Sequence, residues 1–96
     1  MSVTQVLSEK RDAIRRIAAE HGAHNIRVFG SVARGEAGRE SDIDLLVDVG
    51  EKTSSWFPAG LVLELEKLLG REVQVVTEAA LSPYVRERVL NEAVAL

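Results

Sequence analysis

Asp42 and Asp44 stand two positions apart in the stretch DIDLLVDV, and Gly30-Ser31 precede them with ten residues between Ser31 and Asp42. Aspartate is poorly suited to a strand interior, so two on one face call for solvent or a counter-charge. Strand rise puts the pair roughly 6–7 Å apart. At that distance two carboxylates repel by about 0.6 kcal/mol in water and about 2.5 kcal/mol at an effective dielectric of 20. A divalent cation reverses the sign of that interaction. Hard oxygen ligands select Mg²⁺ or Mn²⁺, and Mg²⁺ is commonly held by one or two carboxylates together with substrate phosphate oxygens.

Gly30 and Ser31 suit the other half of such a complex. A strand that ends in glycine and enters a short helix presents free N–H groups and a hydroxyl to an anion. Arg34 and Arg39 on the same loop could add charge-assisted bonds to a triphosphate. Positioning and electrostatics of this kind are most of what phosphoryl or nucleotidyl transfer asks of a protein. Each feature alone has a plain structural reading: Gly-Ser as a turn, Asp-x-Asp as a solvated strand edge, loop arginines as surface charge. The combination is rarer, since Gly-Ser-x10-Asp-x-Asp arises by chance on the order of once in a thousand chains of this length at ~6% per residue type.

The elements that must position these groups follow from periodicity. Val3, Val6, Leu7, Ile14, Ile17 and Ala18 predict one helix over residues 3–20, with Ser2 or Thr4 as cap and His21-Gly22 as stop. NIRVFG reads as a strand and SVARGEAGRES as a loop with at most a short helix from Ser31. In DIDLLVDV, alternation sends Ile43, Leu45 and Val47 to one face and Asp42, Asp44, Leu46 and Asp48 to the other. A linker with Ser54 or Ser55 as cap leads to a helix carrying Leu61, Leu65, Leu68 and Leu69, which Gly70 stops. REVQVVT is a third strand. A last helix opens at Ser82-Pro83 and runs through Val85, Val89, Leu90, Ala93 and Val94. His21 reads as a helix terminus and His24 as a loop residue, neither having a second metal ligand at a useful spacing. Trp56-Phe57 and Tyr84 are expected to pack against their own helices; the competing reading leaves Trp56 and Leu46 in an exposed apolar patch for a partner helix.

The order αβ(α)βαβα describes an α/β (α+β) chain of 96 residues, expected to form one domain over 1–96. With 46% hydrophobic and 28% charged residues it should fold. A net charge of −3 and a pI near 5.4 give no general attraction to long nucleic acid. Cysteine is absent, which excludes disulfides and thiolate metal sites. No apolar run approaches the roughly 18–20 residues that span a bilayer, and MSVTQVLSEKRDAIRR lacks the core of a secretory signal, so no membrane association and a cytoplasmic location are expected. The oligomeric state, including a homo-oligomer, is left open.

GSVARGEAGRESDIDLLV resembles the signature of the minimal nucleotidyltransferases, small members of the polymerase-beta-like nucleotidyltransferase superfamily, with Gly30, Ser31, Arg34, Gly35, Ser41, Asp42, Ile43 and Asp44 in place. VQVVTEAALSPYVRERVLNEAV extends the likeness over nearly the whole chain. The resemblance implies a palm with a small mixed sheet and helices mainly on one face. It implies that Gly30, Ser31, Arg34 and Ser41 bind the nucleotide ATP, that Asp42 and Asp44 bind Mg²⁺ (or Mn²⁺), and that Ser31, Asp42 and Asp44 are catalytic. It also implies a partner, since several minimal nucleotidyltransferases resemble antitoxins that move AMP from ATP onto a tyrosine of a HEPN-domain toxin.

One position departs from the pattern. Active members usually carry a third carboxylate where this chain has Gln74, and a neutral amide can serve neither as base nor as charged ligand. Glu72 lies two residues earlier on the same face. Three functions therefore stand side by side: an adenylyltransferase acting on a partner protein, a binding subunit that neutralises a partner by contact, and a nucleotidyltransferase for a small molecule.

Overall fold

The computed structural model describes residues 3–38 and 41–96. Ser2 and Arg39 lie outside the described residues. The amino-terminal periodicity is divided between two helices, α1 (Val3–Glu9) and α2 (Arg11–Glu20), in place of the one predicted. Lys10 breaks the run with φ −102° and ψ 12°. The bend brings Val3 and Leu7 to the same buried cluster as Ile14 and Ala18.

Four strands form one sheet, ordered β3-β2-β1-β4: β1 is Ala23–Phe29, β2 Ile43–Val49, β3 Val73–Thr77 and β4 Val94–Ala95. β2 runs antiparallel to β1 and parallel to β3, so the sheet is mixed. The parallel pair is joined through α4 (Ala59–Leu69), as a parallel connection requires. His24 belongs to β1 and not to a loop, because the strand begins at Ala23 and is carried through a bulge between His24 and Arg27. Asn25 takes φ +48° there, a left-handed conformation that asparagine tolerates better than most side chains.

β2 is an interior strand, and its alternation is the one expected. Ile43, Leu45 and Val47 are buried in a cluster shared with Ile14, Ala18, Leu61 and Leu65. Leu46, on the opposite face with the aspartates, is also fully buried, which removes it from any exposed patch. Val89 of α5 (Pro83–Glu92) is buried outside the principal cluster as well. α1, α2 and α4 contribute to that cluster together with Val32, which lies in the short helix that follows β1.

Helix ends differ from expectation in detail. Gly70 closes α4 with φ +68° and an N–H bond to the Glu66 carbonyl at 2.8 Å. Neither Ser54 nor Ser55 caps α4: Pro58 precedes it, and Ser54 Oγ lies 2.6 Å from His21 Nδ1. The other His21 nitrogen lies 2.6 Å from Glu64 Oε2, so the histidine ties the end of α2 to α4. Ser82 and Pro83 open α5 as predicted, though Ser82 makes no side-chain cap bond. α5 stops at Glu92, two residues before the predicted Val94, because Val94–Ala95 pair with β1 and the Leu96 N–H reaches the Ile26 carbonyl at 3.1 Å. The open edge of β1 gains the backbone partners that an edge strand otherwise lacks. No helix among the described residues is long and apolar enough to cross a membrane.

Candidate active site

β1 runs into α3 (Gly30–Ala33) with no intervening loop, so the end of the strand and the first turn of the helix meet at Gly30. In the register of β1 with β2, Phe29 lies opposite Asp44. That pairing sets the carboxylate of Asp44 directly against the α-carbon of Gly30, where a Cβ would collide with Asp44 Oδ2. Gly30 also has φ +74°, so the position calls for glycine on two counts. Ser31 follows, half-buried, at the start of α3, where backbone N–H groups lack intrahelical acceptors.

β2 begins at Ile43, so Asp42 stands just before the strand and not within it as the alternation predicts; Asp42 and Asp44 are both half-buried, and neither carboxylate takes a hydrogen bond or ion pair from a described residue. Burial pushes the Asp44 carboxyl above its ordinary range, and the charges of Asp42 and Glu92 push it further, against a smaller opposing pull from Arg34. The site thus holds concentrated negative charge beside a backbone turn with donors. Two half-buried carboxylates with no hydrogen-bonded or ion-paired partner among the described residues fit a hard divalent cation. Among the described residues no three acidic or histidine side chains converge at metal-ligand spacing, so any cation here draws its remaining oxygens from substrate and water.

Gln74 lies on β3 directly beside Asp44 in the parallel register, with its side chain exposed. Glu72, also exposed, precedes β3, and its carbonyl accepts the Ile43 N–H at 2.9 Å. The Ser41 hydroxyl is engaged within the loop, accepting the Gly38 N–H at 2.8 Å. Arg71 holds the same loop from the other side, donating to the carbonyls of Gly38 and Ser41 at 3.1 and 3.2 Å.

Arg34 is half-exposed and doubly paired, with Glu36 Oε1 at 2.7 Å and Glu92 Oε1 at 2.6 Å. Both carboxylates hold its guanidinium more firmly in the charged state. The second oxygen of Glu92 accepts the Gly30 N–H at 2.9 Å. Arg34 first and Gly30 second hold the Glu92 carboxyl below its ordinary range. Glu92 is the site residue that sequence reasoning missed. Its only signal there was an acid inside an otherwise helical run, and its partners lie 58 and 62 positions away in the chain.

The chain matches the nucleotidyltransferase domain family over residues 8–96. It belongs to that family. The expectation of a nucleotidyltransferase enzyme is borne out, and so is the expected mixed-sheet palm. MJ0435 of Methanocaldococcus jannaschii, whose name assigns it provisionally to the protein adenylyltransferases, is 42% identical over 88 residues, covering 92% of this chain and 95% of that protein. The protein adenylyltransferase MntA of Thermococcus cleftensis is 39% identical over 80 residues, covering 83% and 81%. A solved structure described as a candidate minimal nucleotidyltransferase superposes with a TM-score of 0.86 at 48% identity, covering 100% of this chain and 97% of the other. A toxin-antitoxin crystal structure with AMP-PNP shares the fold at a TM-score of 0.67 and 22% identity, covering 99% of this chain and 72% of the other.

The aromatic side chains do not pack as expected. Trp56 is 86% exposed and Tyr84 is 96% exposed, while Phe57 alone of the Trp56-Phe57 pair packs partly against the core. Tyr84 projects from the first turn of α5, where the neighbouring side chains of the helix do not cover it.

Proposed function

We propose that this chain transfers AMP from ATP to a hydroxyl of a partner protein, a tyrosine of a HEPN-type toxin, and so serves as the antitoxin of the pair. The observation that carries this reading is the pair of half-buried carboxylates, Asp42 and Asp44, which have no hydrogen-bonded or ion-paired partner among the described residues, with Asp44 set against Gly30 at the Gly30-Ser31 turn. The resemblance to adenylyltransferases of nearly equal length supports the choice of a protein acceptor over a small molecule.

Asp42 and Asp44 would hold Mg²⁺. A bound divalent ion would neutralise the triphosphate and lower the pKa of the attacking hydroxyl. Ser31 would donate its hydroxyl to a phosphate oxygen, and the Gly30 N–H, which Glu92 holds in the free protein, would donate to the same anion once released. Arg34 would add a charge-assisted bond to the phosphates. Ser41 would act through the loop, keeping Asp42 at its entrance to β2. The partial burial of Asp44 would strengthen its own attraction for the cation. The acceptor hydroxyl would attack the α-phosphorus, its oxygen forming the new bond as the bond to pyrophosphate breaks and the hydroxyl proton passes to solvent.

A second reading is favoured by Gln74. An amide beside Asp44 at the position of a usual third carboxylate supports a binding subunit with little turnover, which neutralises its partner by contact.

Transfer of label from α-labelled ATP with Mg²⁺ into a lysate of the host organism separates the two. Wild type should label one protein band and Asp44→Asn should label none. Silence from wild type with labelling by Gln74→Asp would hand the case to the binding subunit.

A further inference from the structure

Glu92 spends both carboxylate oxygens on the groups that the adenylyltransferase reading allots to the triphosphate. One oxygen accepts the Gly30 N–H at 2.9 Å and the other accepts from Arg34 Nη1 at 2.6 Å. Its side chain is only 14% exposed, against 45% for Arg34. A carboxylate seated on a backbone N–H and a guanidinium presents what a phosphate presents: two adjacent anionic oxygens, each accepting a charge-assisted bond.

The setting is otherwise unfavourable to an acid. Glu92 is the last residue of α5, where the helix dipole disfavours negative charge. Its charge also acts on Asp44, and through it on the acidic pair. Gly30 and Arg34 are what keep it there. Arg88, one turn earlier on α5, is a nearby cation that also favours the ionised carboxylate. An open groove beside it, lined by Tyr84, Glu87, Arg88, Asn91 and Glu92, leaves room for the side chain to swing. Residues four apart on a helix are neighbours, so Arg88 can receive the released carboxylate.

We infer that Glu92 is a built-in competitor for the nucleotide phosphates: it occupies the Gly30 N–H and Arg34 in the free protein and must leave both before a triphosphate can use them. This rests on the nucleotidyltransferase reading of the site. The contact keeps Gly30 and Arg34 satisfied and α5 docked when no nucleotide is present, and it weakens nucleotide binding in return. A purely structural tie between α5 and α3 makes the opposite prediction, because its loss would loosen the phosphate turn and weaken binding.

The test is calorimetric titration of wild type, Glu92→Gln and Glu92→Ala with ATP in Mg²⁺, and separately with inorganic tripolyphosphate in Mg²⁺, after circular dichroism has confirmed folding. Glu92→Gln keeps the shape and an acceptor for the Gly30 N–H while removing the charge, so it decides the matter if Glu92→Ala does not fold. ATP should bind Glu92→Gln at least about fivefold more tightly than wild type, the factor expected for removing one like charge near 4 Å in water, and tripolyphosphate should show the same ratio. Equal or weaker binding by a folded Glu92→Gln, with wild type binding ATP, overturns the competitor and leaves the site reading standing. Absence of ATP and tripolyphosphate binding in every form with Mg²⁺ present overturns the nucleotide site and the competitor together.

Discussion

Gly30 meets two demands that no other residue type satisfies. Its φ of +74° lies in the left-handed region, and the space a Cβ would fill is taken by the Asp44 carboxylate. Gly30→Ala should therefore fold with a loss of about 1–3 kcal/mol, combining the left-handed penalty of ~1–2 kcal/mol with the displacement of Asp44. Label transfer should fall further than stability does, because a shift of about 1 Å in a catalytic group can cost ~100-fold in rate. Urea unfolding and label transfer on the same preparation check both parts. Full transfer by a folded Gly30→Ala would show that the approach of Asp44 to Gly30 is incidental. The acidic pair and the Gly-Ser turn were legible in the sequence because their meaning lies in short-range spacing, and a strand alternates its side chains whatever surrounds it. Glu92 was not legible, since only tertiary contact over 58 and 62 positions distinguishes it from a solvated helix acid.

At the scale of elements, β1 and β2 are held together near the bulge by polar side chains. Arg27 Nη2 donates to Asp48 Oδ1 at 2.7 Å and Asn25 Nδ2 donates to Asp48 Oδ2 at 2.9 Å. The Asn25 bond first, and the Arg27 charge with it, hold the Asp48 carboxyl below its ordinary range. A carboxyl whose folded pKa lies below its unfolded value adds stability above the unfolded value, and that stability is lost as pH falls through the folded one. Asp48→Asn should thus be less stable than wild type at neutral pH, and the gap should close as the pH falls through the ordinary aspartate range toward the depressed folded value. Asp48 is 40% exposed, so solvent screening keeps the neutral-pH loss to about 1 kcal/mol or less. Thermal melts across the acid range measure it, and a gap that stays constant with pH would mean that the ion pair contributes nothing. Other elements show where local reading runs out. Val94–Ala95 continue a helical pattern, yet the open edge of β1 recruits them as β4, a demand invisible within a window of a few residues. The split between α1 and α2 likewise follows from a shared core and not from a helix-breaking residue type at Lys10.

Across the whole molecule, stability and site chemistry are carried by opposite faces of one strand. Leu45 faces the principal cluster and is fully buried, while Asp44 on the other side of β2, and Asp42 just before the strand, take no hydrogen bond or ion pair from the described residues. Domains of this size are stable by only about 5–15 kcal/mol, and a buried Leu→Ala substitution costs ~2–5 kcal/mol. Leu45→Ala should lower the melting temperature by at least ~8 °C, at about 4–8 °C per kcal/mol for a chain of this length. The double variant Asp42→Asn/Asp44→Asn should melt at or above the wild-type temperature in EDTA, since it removes a repulsion of about 0.6–2.5 kcal/mol and no core contact. Added Mg²⁺ should raise the wild-type melting temperature and leave the double variant unmoved, because an ion bound only by the folded state stabilises it by mass action. If the double variant loses cooperative unfolding, the aspartates hold the sheet together and the metal-site reading fails. If both variants behave as expected, the acidic face has been kept at a cost to stability, and a face retained against its own electrostatics is retained for what it binds.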